Sequence, residues 1–234
     1  MIRKAIEKIE EMAAAKIIEV GDRKYSTKNL VPVKEPVPDP IGVSTLASVV
    51  SYLKSGLDGF DQSALFIHVM SHAHVAIFSS LIQPFGQRYE LMTATAMTPR
   101  IILNSPIDVE SFIIQLQSMF CETDEREELL KFLGSITAGF TKTMKDNGVA
   151  QTITTKVGAM VDDVEVPSPV TLKPYRTFIE IDQPGSMFVF RIHAGHDQPT
   201  CALYEADGGA WKLDAIKMIS DWIQAELPDI SVIA

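Results

Sequence analysis

Apolar positions along the chain fall into two alternating regimes. At the start, Ile2, Ala5, Ile6, Ile9, Met12 and Ala13 recur three and four residues apart, with Lys4, Glu7, Lys8 and Glu11 between them. That spacing predicts an amphipathic helix over residues 2–16. Two short β-like stretches follow, around Ile17–Val20 and Arg23–Ser26. Then VPVKEPVPDP places Pro32, Pro36, Pro38 and Pro40 close together. Proline lacks an N–H donor, so this stretch is neither helix nor interior strand and is expected to be an extended arm.

Beyond the arm, Ser44 is the expected N-cap of a helix with the stripe Leu46, Val49, Val50 and Leu53 and a C-terminal cap at Gly56. ALFIHVM, HVAIFSSLI and YELMTATAM predict three buried strands. Ser105, Pro106 and Asp108 form a capping-box pattern before the stripe Val109, Phe112, Ile113, Leu116 and Phe120. Thr123 caps a further helix, whose apolar face is Leu129, Phe132, Leu133, Ile136 and Phe140. Asp146-Asn147-Gly148 is a turn signal before the alternating VAQTITTKV. VTLKPYRTFIEID, SMFVFRIHA and CALYEA read as strands. A helix from about Asp214 to Leu227, with the stripe Ile216, Ile219, Ile223 and Leu227, stops at Pro228. Grouped strands and grouped helices predict an α+β fold with antiparallel sheet in hairpins or a meander. The domain reading is an N-terminal helix and Pro-rich arm over 1–40, then one α+β domain over 41–234.

Composition narrows the classes. The chain has 234 residues, 46 % of them hydrophobic and 22 % charged, which is the profile of an ordinary globular protein. Its 30 acids and 21 bases give a formal charge of −9, which disfavours a protein that coats a polyanion, so nucleic acid is an unfavoured partner. The two cysteines, Cys121 and Cys201, cannot build a disulfide framework, and the N-terminus lacks an apolar signal core. No apolar run reaches transmembrane length. The expectation is a cytoplasmic protein that does not enter membranes.

Three groups of residues could carry chemistry. His68, His72 and His74 lie within seven residues, and imidazoles at such spacing invite a metal reading. They share a sheet face only if the turn between the two strands has three residues, and sheet histidines with no metal are the alternative. Second, a hairpin turning at Pro184-Gly185 would pair Asp182 with Met187. That register sets Arg176, Phe178, Glu180, Arg191 and His193 on one non-core face. A guanidinium forks onto phosphate or carboxylate and a ring stacks on a base, so the face suits a nucleotide-like anion. The alternative is a solvated face with an Arg–Glu pair. Third, YEADGGAWK offers a tight turn at Asp207-Gly208 and Trp211 as a stacking surface, or simply as a core tryptophan. Tyr175 neighbours the second group. No phosphate-binding glycine loop, nucleophile elbow or zinc-protease motif is present, and no cofactor is expected.

The segments KPYRTFIEIDQPGSMFVFRIH and CALYEADGGAWKLDAIKMISDWI, preceded by DNGVAQTITTKVG and VPSPVTL, resemble a group of phage and prophage proteins of no settled activity. The resemblance spans roughly Val31 to Leu227. It implies a phage-encoded, non-virion protein of the host cytoplasm, in a class rich in oligomeric binders. The leading expectation is thus a non-enzymatic homo-oligomeric protein that sequesters a small anionic, nucleotide-derived ligand through Tyr175, Arg176, Phe178, Glu180, Arg191 and Trp211. Two alternatives stand beside it: a phage accessory protein of nucleic-acid metabolism or recombination, and a His-metal hydrolase built on His68, His72 and His74.

Overall fold

The computed structural model describes residues 2–21, 23–28, 37–83, 86–146, 151–157, 160–193 and 199–234; at 23–24, 137–145, 155–157 and 160–164 it describes the backbone alone. The chain divides into two compact units, 1–37 and 38–234. Prolines 32 and 36 of the expected arm, and the Asn147-Gly148 turn, lie outside the described residues.

The first unit holds helix α1 (Ile2–Ala13) and an antiparallel hairpin of β1 (Ile17–Val20) and β2 (Arg23–Ser26), in which Ile17 pairs with Ser26. Helix α1 ends three residues before the expected boundary.

In the second unit β3 (Ile41–Val43) leads into α2 (Leu46–Ser55), then β4 (Leu65–Ser71), β5 (His74–Ser79) and β6 (Glu90–Thr95). The N-cap of α2 is Thr45, one residue past the expected Ser44. Its hydroxyl accepts from Ser48 N at 3.2 Å, and Gly56 closes the helix at φ 61°. The stripe Leu46, Val49, Val50 and Leu53 is buried as expected. Next come β7 (Ile107–Asp108), α3 (Val109–Met119) and α4 (Asp124–Gly139). Here Asp108, not Ser105, is the cap, with its carboxylate accepting from Ser111 N at 2.8 Å. The helix starts late because Ile107 and Asp108 are drawn into a sheet edge opposite Cys201 and Thr200. Thr123 caps α4 by accepting from Arg126 N.

The chain continues through β8 (Phe140–Asp146), β9 (Gln151–Val157), β10 (Met160–Glu165), β11 (Val170–Leu172), β12 (Ser186–His193) and β13 (Thr200–Glu205). It ends in α5 (Trp211–Glu226) and β14 (Ser231–Ile233). Phe140 begins a strand, and its side chain lies outside the description. The fold class is α+β, as expected. Among the described residues sheet pairing is antiparallel except at two edges, where β14 runs parallel to β4 and β3 parallel to β6.

Two cores result. In the five-stranded sheet of order β14-β4-β5-β6-β3, one face carries Ile67, Val69, Val75, Ile77, Met92 and Ala94. Helices α2 and α5 cover that face through Leu53, Ile219 and Ile223. In the four-stranded sheet of order β11-β12-β13-β7, Phe188, Phe190, Ile192 and Leu203 pack against Phe112, Leu116, Leu129 and Leu133 of α3 and α4.

The strand expected over VTLKPYRTFIEID is largely absent. Only Val170–Leu172 pairs with β12, and residues 173–185 form an irregular span. Pro174 and Pro184 remove two N–H donors, so a continuous ladder is not available. A buried glutamine takes its place. Gln183 Oε1 accepts from Arg176 N at 3.0 Å and Thr177 N at 3.3 Å, and its amide nitrogen donates to Phe178 O at 3.0 Å and Ile181 O at 3.4 Å. The side chain thus serves backbone groups that a strand partner would otherwise satisfy.

Candidate functional site

Without the Pro184-Gly185 hairpin, the expected face of Arg176, Phe178, Glu180, Arg191 and His193 does not form. The inward parity of β12 is as expected, since Phe188, Phe190 and Ile192 are buried and Arg191 points away from that core. The partner strand differs: Arg191 pairs with Ala202 and His193 with Thr200 of β13. Arg191 Nη1 lies 3.8 Å from Asp146. Phe178 is 1 % exposed and belongs to the α2–α5 core. Glu180 Oε1 accepts from Ala47 N at 3.1 Å in the first turn of α2, where the helix dipole favours a carboxylate. Tyr175 is half-buried. A hydrogen bond to Cys121, with partial desolvation, raises its phenol above the usual range.

Arg176 and Trp211 do come together, inside a closed cluster. Arg176 is only 9 % exposed. Its guanidinium lies 3.8 Å from the centre of the Trp211 ring and bonds to Glu205 and Ser186. Trp211 Nε1 donates to the same Glu205 carboxylate at 3.1 Å, and Ser186 donates on to Asp207. Asp207, although partly desolvated, sits below the usual carboxylate range because Ser186, the Gly209 N–H and Arg176 stabilise its charge. The YEADGGAWK motif is therefore a tie between β13 and the start of α5, with Gly208 and Gly209 at positive φ. A ligand anion at Arg176 would have to displace Glu205.

The histidines separate. A bulge near Met70 lets Ser71 pair with His74 while His68 pairs with Ala76, so His68 and His74 share the sheet face opposite the core. His72 sits in the turn and packs edge-to-face with Trp211, with centroids 4.7 Å apart. Burial, then the charges of Lys212, His74 and Arg176, lower the His72 pKa. Among the described residues no three His, Cys, Asp or Glu side chains are grouped to hold a metal ion.

That same sheet face carries a constellation the sequence reading missed. Phe66 and Phe78 are directly paired across β4 and β5, with ring centroids 5.6 Å apart and planes 23° from parallel. Both rings are half-buried. Arg88, exposed in the loop before β6, lies over Phe66 with its guanidinium carbon 5.0 Å from the ring centre. One of its nitrogens donates to Ser79 O at 3.2 Å. The His68 ring is 6.4 Å from that of Phe78. Glu90 pairs with Phe78 on the other side and accepts from Thr93 Oγ1 at 2.5 Å. Two rings, a guanidinium, an imidazole and a carboxylate thus occupy one sheet face.

The described clefts have a different character. One of about 370 Å³ between residues 173–185 and α5 is lined by Lys173, Lys217, Asp182 and Asp214, a mixed set with no preference for one sign. Among the described residues no helix is long and apolar enough to cross a membrane. Comparison of the chain with protein-family models, with curated proteins and with solved structures gives no match.

Proposed function

We propose that the protein is a non-enzymatic binding protein for a nucleotide-type anion, and that the outer face of β4, β5 and β6 is where it binds. One observation carries the reading: the Phe66–Phe78 pair, with Arg88 over one ring and His68 beside the other. Aromatic side chains on a sheet face offer sequence-tolerant platforms for a base, worth about 1–3 kcal/mol per stacked base. Arg88 has guanidinium donors beyond the one given to Ser79, and a guanidinium forks onto phosphate. Glu90, paired with Phe78, adds a carboxylate acceptor to the same face. The overall charge of −9 favours a small ligand over a long polyanion. In the setting the resemblance implies, such a site would sequester a nucleotide-derived signal of the host.

The metal-hydrolase alternative gains less support, since His72 is turned away onto Trp211 and leaves His68 with His74 alone. The test is calorimetric titration with nucleoside monophosphates, cyclic mono- and dinucleotides and inorganic phosphate. Nucleotides are expected to bind, phosphate alone much more weakly, and Phe78→Ala to remove the difference. No heat with any nucleotide, or equal binding by phosphate, would overturn the reading.

A further inference from the structure

Helix α1 presents an apolar stripe that nothing in its own unit covers. Ile2, Ile6 and Ile9 are 79 %, 51 % and 64 % exposed. With Ala13 they are spaced four, three and four residues apart, the alternation of a coiled-coil seam. None of the α1 residues is buried. A helix this short is marginal alone in water and depends on packing of its apolar face.

The residues flanking the seam indicate what covers it. Arg3 and Glu10 lie along one flank, and Ala5 and Met12 along the other. If two copies of the helix run antiparallel, with Ile6 against the partner's Ile9, Arg3 falls beside the partner's Glu10. By two-fold symmetry Glu10 falls beside the partner's Arg3. The same alignment sets Ile2 against the partner's Ala13 and joins Ala5 to the partner's Met12, extending the apolar strip. A parallel pair forms neither opposite-charge contact. The outer side of the helix is occupied by its own pairs: Arg3 with Glu7 at 3.2 Å, from which it would swing, and Lys8 with Glu11 at 2.8 Å.

We propose that residues 2–13 bind a second copy of this chain as an antiparallel, two-fold symmetric helix pair. The experiment is sedimentation equilibrium of the full chain. The wild type is expected to dimerise, and Ile6→Lys, in the centre of the seam, to be monomeric with an unchanged circular dichroism spectrum for the rest of the chain. Arg3→Glu places like charges together twice and is expected to weaken the dimer about tenfold. The charge swap Arg3→Glu with Glu10→Arg is expected to restore it. A monomeric wild type, which includes the case where the stripe packs on its own chain, would overturn the proposal. So would a dimer indifferent to Ile6→Lys, or a charge swap as weak as Arg3→Glu alone.

Discussion

Among the described residues two arginines lie over aromatic rings, and their surroundings make them opposites. Arg176 is stacked on Trp211, almost fully buried, and neutralised by Glu205 with Asp207 close by. Arg88 lies over Phe66 on an exposed loop and is held by one carbonyl, that of Ser79. A buried cation needs its full set of partners within the fold, because an uncompensated charge out of water is costly. An exposed one can exchange water for a ligand. A guanidinium on a ring therefore does not by itself mark a binding site; whether the fold already pairs its charge with a carboxylate decides. The Arg176 cluster is a structural tie, and the Arg88 face is the proposed platform.

One large effect breaks the tie. Arg176→Ala leaves Glu205 and Ser186 without their guanidinium. Glu205 is partly exposed and can turn to water, so the loss is that of charge-assisted hydrogen bonds, about 1.5–3 kcal/mol, and the melting temperature should fall by roughly 5–10 °C in a chain of this size. Arg88→Ala should shift the melting temperature by a degree or two at most, since exposed charges contribute little. It should instead weaken nucleotide binding about ten- to a hundredfold, the loss of one or two charge-assisted hydrogen bonds. If both variants melt early, or neither does, the contrast between the two arginines is wrong.

Gln183→Leu sharpens the structural side. It strands the N–H groups of Arg176 and Thr177 and the carbonyls of Phe178 and Ile181, at about 1–3 kcal/mol for each group left buried. Urea unfolding should show a clear loss of midpoint, and an unchanged midpoint would mean the span is held otherwise.

A smaller effect comes from His72. Burial, then Lys212, His74 and Arg176, depress its folded-state pKa, so folding favours the neutral ring. Its contribution is fully present above the unfolded pKa of about 6.5 and is lost as pH falls through the folded value. Melting temperatures from pH 7.5 to 5 should therefore decline more steeply for the wild type than for His72→Asn, and parallel curves would contradict this. The smallest effect lies in the cores. Burial and the nearby Asp108 push the Cys201 thiol up to about 12, so it should resist alkylation in native protein and react only on unfolding.

Much of the scaffold was legible in the chain because local chemistry and period agreed. Leu46, Val49, Val50 and Leu53 mark a helix face, and Gly56 marks its end. In β12 the alternation of Phe188, Phe190 and Ile192 identifies the inward side without naming the partner strand. The span 173–185 misled because PYRTFIEID alternates like a strand, while its backbone is served by a glutamine side chain that periodicity cannot see. The Phe66–Phe78 pair was hidden for a different reason. ALFIHVM and HVAIFSSLI are apolar on both faces, so the rings look like more core, and Arg88 arrives from a loop whose position no local pattern fixes.

The most direct test of the open-platform claim is to label phenylalanine rings with carbon-13 and follow their NMR signals during titration with a binding nucleotide. Shifts of the Phe66 and Phe78 rings are expected, with the buried Phe112, Phe188 and Phe190 unmoved. Shifts confined to residues around Trp211, or a nucleotide that binds while leaving Phe66 and Phe78 unperturbed, would contradict that claim.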